Sequence, residues 1–179
     1  LLSVIKDNMI NKDDFIKALS NPDWYNQGLI YTISDGKDTC IKALYKTWVE
    51  FVDDIPRLVE NKTTFKIQGF ETYNKEIYNK CFSLSTVWMK PVDCHAYFSY
   101  EGQGSFDTHT DPCEVAIFVC EGTKVLTINN DEVRLNKNDH VFIKSNTPHK
   151  AYHETDCLSL SFGTYEYGNN TVKDLGIKL

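Results

Sequence analysis

The sequence predicts a mainly β fold with a helical N-terminal segment, and three observations lead to that prediction. Up to about residue 84, apolar residues recur mostly at helical spacing. Beyond that point, short runs that fit strands follow one another, with turns rich in Gly, Asn and Asp between them. Many short strands with frequent turns are typical of a β-sandwich or a β-barrel. A chain of 179 residues is long enough to bury the core of one such domain.

The N-terminal region supplies the helical part of the prediction. Asn11 to Asp14 offers N-cap residues before an apolar run that closes at Asn21-Pro22. The apolar spacing from Thr39 to about Val59 predicts a long helix, which Pro56 would bend near its end. Shorter elements predicted in the same region are strands at Leu29–Ile33 and Thr64–Ile67 and a helical turn from Tyr73 to Tyr78.

The rest of the chain predicts a succession of short strands. They are Ala96–Tyr100, Phe106–Asp111, Glu114–Cys120, Lys124–Ile128, Glu132–Leu135, His140–Lys144, His149–His153 and Leu158–Thr164. Asn129-Asn130-Asp131 predicts a hairpin turn between two of them. Because no repeat or linker divides the chain, we predict one domain over residues 1–179. It would comprise a helical or mixed cover over 1–84, a barrel core over 85–164 and a tail over 165–179.

Composition and charge narrow the class of function. The net charge of −6 argues against a nucleic-acid-binding surface. No apolar run is long enough to span a bilayer, and the first residues lack the charged start and long apolar stretch of a signal peptide. The six cysteines are scattered without a CxxC motif, which excludes a zinc ribbon or a thioredoxin-type motif. We therefore expect a cytoplasmic protein with reduced thiols and no membrane association.

The most informative motif is His109-Thr110-Asp111. On a strand, residues two apart project from the same face, so the imidazole and the carboxylate would point together. A second histidine from a later strand would complete a two-histidine, one-carboxylate set, which binds Fe(II) and leaves positions open for a co-substrate and oxygen. His149 and His153 share one strand face and both qualify. Alone, the His-x-Asp pattern also fits a polar surface turn.

Lys124 is the second informative residue. It follows the turn Glu121-Gly122-Thr123 and opens an apolar strand at Val125-Leu126. Burying a lysine is costly unless an anion accompanies it, so its position predicts an anionic partner inside the fold. The alternative is an edge lysine whose stem covers apolar surface while the ammonium group reaches water.

Residues 97–162 resemble the cupin-type double-stranded β-helix, a jelly-roll barrel, of the JmjC-like Fe(II)/2-oxoglutarate-dependent oxygenases. The motifs that carry the resemblance are His109-Thr110-Asp111, then Gly122-Thr123-Lys124 with its lysine thirteen residues past the Asp, the turn at Asn138-Asp139, and Pro148-His149. The segment from Asp14 to Tyr31 also resembles the leading segment of that family. The resemblance therefore covers most of the chain, with its specific motifs confined to residues 97–162.

The resemblance implies a complete active site. His109, Asp111 and His149 would bind Fe(II) and serve as the catalytic residues. Lys124 would pair with the distal carboxylate of 2-oxoglutarate, which explains a lysine inside a barrel. 2-Oxoglutarate and O2 would be consumed to give succinate and carbon dioxide, while a C–H bond of the main substrate is hydroxylated.

The chain departs from the family pattern at several positions. Phe106 stands where the family often has a Thr or Ser that contacts the co-substrate. Candidates to replace that contact on the flanking strands are Tyr97, Ser161, Ser99 and Ser159. Asn138 replaces a usual glycine, which is tolerable because Asn also adopts left-handed backbone. The short interval between Asp111 and His149 implies trimmed loops and a more open site.

Several nearby residues are expected to lie outside the metal site. His140 is predicted to be exposed, and His95, at the start of a strand, is not expected to bind metal. Asp107 would share the face of His109 and Asp111, and it would either contact the site directly or support its ligands. Cys113 and Cys120 are expected to be buried, because thiolates do not fit a two-histidine, one-carboxylate set.

Our preferred interpretation is a 2-oxoglutarate-dependent dioxygenase that hydroxylates a protein side chain, with a small molecule or a nucleotide as the other substrate class considered. One alternative is a non-catalytic metal- or ligand-binding cupin that acts as a structural or accessory subunit, in a homodimer or a larger assembly. Another is a cupin isomerase or dioxygenase without a 2-oxo acid; those usually have more histidine ligands and a Glu in the first motif. Glu114 is present, but Asp111 occupies the ligand position. Only the 2-oxoglutarate enzyme needs Lys124 as an anchor.

Overall fold

Two antiparallel β-sheets form the barrel in the computed structural model, which describes residues 9–104 and 106–164. The strands, in chain order, are β1 Ile30–Ser34, β2 Lys37–Cys40, β3 Thr64–Ile67, β4 Val92–Ser99, β5 Val115–Glu121, β6 Lys124–Ile128, β7 Asp131–Leu135, β8 His140–Ile143, β9 His149–His153 and β10 Cys157–Thr164. Within the described residues, the larger sheet has the order β2-β1-β3-β4-β10-β5-β8 and the smaller one β7-β6-β9. The sheets pack together through an apolar cluster that includes Ile117 and Leu126. The predicted fold class, a mainly β jelly-roll barrel with a helical N-terminal segment, is confirmed.

The helices of the described chain all precede β4. They are α1 Lys12–Leu19, α2 Pro22–Gln27, α3 Ile41–Leu44, α4 Trp48–Glu60 and α5 Lys75–Trp88, with a short 3-10 helix at Phe70–Thr72. Local capping explains where they begin. The Asn11 side chain accepts a hydrogen bond from the backbone N–H of Asp14, and Thr47 and Glu50 form a capping box at the start of α4. Each such cap stabilises its helix by about 1 kcal/mol.

Strands β4 and β10 have one apolar and one polar face, and this alternation positions the site. On β10, Leu158, Leu160 and Phe162 pack toward the helices, whereas Ser161 and Gly163 line the barrel interior. Strand β4 repeats the pattern, and its interior side chains are Asp93, His95 and Tyr97. Because strand side chains alternate between faces, the same two strands can close the outer core and supply polar groups to the interior.

Strands β1 to β3 extend the barrel sheet instead of only covering it. β3 pairs with β4, and β1 pairs with both β2 and β3. The predicted strand Thr64–Ile67 has the observed bounds, and the predicted Leu29–Ile33 is shifted by one residue. The single domain and its division at residue 84 both stay predictions, although α5 continues past that residue. The predicted tail, 165–179, lies outside the described residues.

The long helix predicted from Thr39 to Val59 is wrong. The segment contains the end of β2, then α3, and then α4. The chain is extended at Tyr45, and helix formation restarts at the capping box of Thr47 and Glu50. A capping box satisfies backbone N–H groups at a new helix start, so it favours two helices over one. Pro56 lies inside α4 without ending it.

The helical turn predicted from Tyr73 to Tyr78 underestimates α5, which has 14 residues. Its buried residues, Ile77, Cys81 and Leu84, follow the i, i+4, i+7 spacing of an amphipathic helix. The sequence therefore contains the signal for this helix. The exposed side of α5 carries apolar residues too, among them Phe82, and these weaken the contrast between its faces.

No helix in the described ranges combines the length and the apolar character needed to cross a membrane. The cysteines are free thiols, and those that are buried are Cys81, Cys94, Cys120 and Cys157. The burial of four of them agrees with the expectation that several cysteines are buried. The cytoplasmic location stays a prediction.

The alternating faces of the larger sheet give a stability prediction. Phe162→Ala should lower the free energy of unfolding by about 3–5 kcal/mol, because the fully buried ring of Phe162 (0% exposed) would leave a cavity in the outer core. Phe142→Ala is the matched control: that ring is 43% exposed, and its loss should cost less than about 1 kcal/mol. Urea denaturation followed by circular dichroism measures both. Equal losses would contradict the assignment of faces.

Candidate metal centre

The structure brings His109, Asp111 and His149 together at one end of the barrel interior. One ligand atom from each residue lies within 4.8 Å of the others. Asp111 Oδ2 is 3.4 Å from His149 Nε2, and Asp111 Oδ1 is 4.0 Å from His109 Nε2. The two imidazole rings have their centroids 4.4 Å apart. Two nitrogens and a carboxylate that converge on one point can hold a divalent cation.

Backbone hydrogen bonds place these three ligands. The N–H of His109 donates to the carbonyl of His149 (3.0 Å), and the N–H of His149 donates to the carbonyl of His109 (2.9 Å). The N–H of Asn146 donates to the carbonyl of Asp111 at 2.6 Å. The loop that carries the first two ligands is thus attached to the start of β9, which carries the third.

The strand predicted from Phe106 to Asp111 is wrong. In this segment the chain makes bends, and only His109 forms a β-bridge, to His149. The side chains of His109 and Asp111 nevertheless reach the same site. Their convergence depends on the reciprocal bridge and on the bond from Asn146, rather than on the regular alternation of a strand.

Hydrogen bonds at the far side of each imidazole orient both rings. His109 Nδ1 is 2.8 Å from the carbonyl oxygen of Asp107, and His149 Nδ1 is 2.9 Å from that of Thr147. A carbonyl oxygen only accepts, so Nδ1 carries the hydrogen in each case. In the neutral rings, Nε2 is then the nitrogen with a free lone pair, and it faces Asp111.

Charge interactions within the triad shift two pKa values in opposite directions. The hydrogen bond from His149 lowers the pKa of Asp111, although burial of the carboxylate opposes this shift. The same hydrogen bond raises the pKa of His149, again against a smaller effect of burial. The site therefore favours a positive charge between the two groups. A divalent cation would take the place of the imidazolium proton.

Lys124 is buried in the middle strand of the smaller sheet, with 4% of its surface exposed. Its Nζ donates a hydrogen bond to Ser159 Oγ at 2.8 Å and lies 5.8 Å from the centre of the Tyr97 ring. Within the described residues, no carboxylate oxygen lies within 4.0 Å of Nζ. Burial lowers the pKa of this ammonium group. The alternative of an edge lysine that reaches water does not fit this environment.

His153, the alternative to His149, does not join the triad. Both residues face the barrel interior from β9, but four residues along a strand span about 13 Å. His153 pairs across the sheet with Lys124, and its Nδ1 is 2.7 Å from the carbonyl oxygen of Gln103. Burial, and then the nearby Lys124 cation, lower the pKa of His153 to about 3. The positive charge of Lys124 beside His153 would repel a metal cation at this position.

One cavity of about 410 Å³ connects the triad with Lys124. This volume lies within the usual range for small-molecule sites, about 300–1,000 Å³. Tyr97 and Ser161, two of the residues predicted to contact the co-substrate, line the cavity. A third, Ser159, accepts a hydrogen bond from Lys124, which also lines it. Burial raises the pKa of Tyr97, so its phenol stays protonated. The hydroxyl of Ser99 is buried and has no hydrogen-bond partner within the described ranges.

The other nearby residues agree only partly with expectation. His140 is half-buried and stacks on Phe118 with ring centroids 5.0 Å apart, so the prediction of exposure is wrong. Asp107 is exposed and supports His109 through its backbone carbonyl. Cys120 is buried as predicted, whereas Cys113 is half-buried and lines the cavity.

Sequence reasoning missed two polar residues of the cavity wall, Asp93 and His95. His95 lies outside the group of possible metal ligands, and its Nε2 lies 3.3 Å from Asp93 Oδ2. The signal is present in the sequence, because Asp93, His95 and Tyr97 alternate with the apolar face of β4. A strand with a polar face turned inward is a stronger indication of a site than any one of these residues.

Comparisons with known proteins agree with this barrel. Residues 96–162, less than half of the chain, match the family model described as a cupin domain, which supports the cupin superfamily for this segment. No curated protein sequence matches the chain.

Part of the chain is similar to solved structures from bacteria. A conserved protein of unknown function from Streptococcus pyogenes has 16% identity and a TM-score of 0.41, over 43% of this chain and 67% of its own. KdgF from Halomonas sp. has 18% identity and a TM-score of 0.39, over 42% and 71%. Salicylate 1,2-dioxygenase from Pseudoaminobacter salicylatoxidans has 19% identity and a TM-score of 0.40, over 48% and 22%, so this chain spans under a quarter of it.

Removal of one imidazole tests the metal centre. His149→Ala should weaken Co(II) binding by at least about 100-fold, because loss of a partner behind a ligand already costs about 10- to 100-fold. His140→Ala is the matched control, since it removes an imidazole that is not in the ligand group. Anaerobic titration followed by visible absorption gives both affinities. Similar affinities in the two variants would contradict the assignment.

Metal affinity should also fall at low pH. Asp111 raises the pKa of His149, so the imidazole keeps its proton to a higher pH than an ordinary histidine. A metal must displace that proton, and the affinity for Co(II) should fall about tenfold per pH unit below this pKa. Chelator competition from about pH 8 to about pH 5.5 measures the slope. Affinity that stays constant over this range would contradict a histidine ligand.

Proposed function

We propose that this protein is an Fe(II)/2-oxoglutarate-dependent oxygenase that hydroxylates a side chain of another protein. The observation that carries the proposal is the buried ammonium group of Lys124. It opens onto the same cavity as the triad and has no carboxylate partner within the described residues. An anionic ligand would supply the missing charge, and a dicarboxylate could also reach the metal at the other end.

The triad fits Fe(II). His109, Asp111 and His149 would hold the ion as a two-histidine, one-carboxylate set. When bound, Fe(II) would supply the activation of O2, and 2-oxoglutarate would supply the accompanying electrons. The products would be succinate, carbon dioxide and a hydroxylated substrate. The carbonyls of Asp107 and Thr147 orient the rings so that both Nε2 atoms face Asp111, where they would hold the ion.

The other end of the cavity suits a carboxylate. Lys124 donates to Ser159 Oγ, which leaves the serine hydroxyl hydrogen free for an acceptor. A carboxylate there would accept hydrogen bonds from both the ammonium group and the hydroxyl. Such charge-assisted hydrogen bonds are stronger than those between neutral groups. The Tyr97 phenol, kept protonated by burial, is a further donor on the cavity wall.

The triad end of the cavity suits the main substrate. The side chains of His109 and Asp111 are about one-third exposed, whereas Lys124 is buried. A side chain that projects from another protein could therefore reach the metal without passing the co-substrate anchor. Apolar residues of both sheets, among them Ile117 and Leu126, line the walls and limit the access of water.

The decisive experiment measures succinate formed from 2-oxoglutarate in air, with Fe(II) and ascorbate. We expect wild type to form succinate without its main substrate and Asp111→Ala to form none. Lys124→Met, which keeps the side-chain volume, should raise the KM for 2-oxoglutarate about 10- to 100-fold, the value of a hydrogen bond to a charged group. Lys150→Met is the matched control, because Lys150 is exposed on β9.

Thermal unfolding of each variant separates lost folding from lost function. A wild-type protein that binds neither Fe(II) nor 2-oxoglutarate would overturn the proposal in favour of a non-catalytic cupin. A wild-type protein that binds iron but neither binds nor converts 2-oxoglutarate would also overturn the proposal, in favour of a cupin chemistry that needs no 2-oxo acid.

A further inference from the structure

Asp93 and His95 form a pair on the cavity wall that the proposed chemistry does not use. Both side chains project from β4 into the barrel, and His95 Nε2 lies 3.3 Å from Asp93 Oδ2. Each is about one-third exposed, so solvent or a ligand can reach them. A carboxylate held in a ligand-sized cavity by a neighbouring imidazole is arranged to bind a further group.

The strand register places this pair away from the co-substrate anchor. Tyr97 lies opposite Ser159, the residue that binds Lys124, whereas Asp93 lies opposite Gly163. Four residues along β4 separate Tyr97 from Asp93, a span of about 13 Å. The smaller sheet has the same two ends. At the anchor end His153 pairs with Lys124, and at the triad end His149 pairs with Ile128. Asp93 is therefore at the triad end of the cavity.

The cavity wall beside Asp93 has no side chain at Gly163. A Cβ atom on Gly163 would lie 3.5 Å from Asp93 Oδ1 and 3.8 Å from Cys113 Sγ. These are ordinary contact distances, so a side chain at this position would fill the space between β4 and the loop before β5. Gly163 leaves that space open, in a cavity that also contains Asp111 and His149.

The charges around the cavity distinguish Asp93 from its neighbours. Asp38 forms an ion pair with Lys66, and Glu114 forms one with Lys90 at 3.2 Å. Asp111 belongs to the metal-ligand group. Asp93 has a histidine as its partner and no lysine or arginine within 4.0 Å in the described part of the chain. A ligand group that donates hydrogen bonds would be favoured next to it, and an anionic group would be repelled.

We propose that Asp93, positioned by His95, binds the main substrate and selects a nitrogen group that donates hydrogen bonds: an amine, a guanidinium or an amide. The gap left by Gly163 admits this group beside the metal ligands. The inference rests on the proposed function, because it takes the triad as the reacting centre. Asp93 is a substrate-binding residue and His95 a positioning residue, with no part in binding the metal.

The test uses Mn(II) in place of Fe(II), with 2-oxoglutarate present, so that no turnover occurs. The probes are end-blocked pentapeptides with Lys, Arg, Asn, Glu or Leu between glycines, and proton NMR measures how strongly Mn(II) relaxes each side chain. In wild type, the Lys, Arg or Asn probe should relax at least about threefold faster than the Glu and Leu probes, the value of a partly exposed ion pair.

Three variants sharpen the test. Asp93→Lys should reverse the preference, so that the Glu probe relaxes fastest. Gly163→Val should reduce the relaxation of every probe at least about threefold by filling the gap. Asp131→Lys is the matched control, since this exposed residue at the start of β7 does not line the cavity, and it should leave the wild-type order unchanged. Thermal unfolding confirms that each variant is folded.

The protons of 2-oxoglutarate in the same samples separate the two proposals. If Mn(II) fails to relax them in wild type, the proposed function is overturned. If Mn(II) relaxes them but no probe, or if the Glu and Leu probes equal the others, the inference about Asp93 is overturned while the proposed function stands. The same holds if Asp93→Lys leaves the preference unchanged.

Discussion

The reciprocal backbone hydrogen bonds between His109 and His149 are the interaction on which the candidate site depends. They attach an irregular loop to the first residue of β9, and so bring ligands that are forty residues apart in the sequence to one point. Because both bonds involve the backbone, the ring orientations can be set separately, by the carbonyls of Asp107 and Thr147. The candidate site is therefore organised by main-chain groups, and the three side chains that could hold a cation do not take part in this scaffold.

The second constraint is the division of β4 and β10 into two faces. Their apolar sides close the outer core with the helices, and that burial stabilises the sheet. Their polar sides turn inward, where a larger hydrophobic core would otherwise form. The smaller apolar cluster between the sheets is confined to β5 to β8 and the start of β10, so the barrel keeps an open interior. The inner core is therefore smaller and stabilises the fold less, and the barrel keeps a cavity. Functional sites commonly reduce stability in this way.

Charge is distributed along this cavity in an ordered way. A buried ammonium group, Lys124, lies at one end, and the carboxylates of Asp111 and Asp93 lie at the other. Burial lowers the pKa of Lys124, and the same cation helps to keep His153 neutral. A ligand with an anionic end would therefore have one favoured orientation, since a reversed molecule would place its negative charge beside carboxylates. This polarity is a property of the protein before any metal is bound.

The sequence by itself determined the class of fold and the bounds of β6 and β9, because these follow from local alternation. It also indicated which residues have side chains that could bind metal, because that follows from the chemistry of the residue types. It also indicated Lys124, since a lysine at the start of an apolar strand is unusual. Only the tertiary structure decided between His149 and His153, replaced the strand at Phe106–Asp111 by a single bridge, and placed Asp93 and His95 on the cavity wall. These features depend on register between distant strands, and local sequence patterns do not specify which residues of two strands face each other across a barrel.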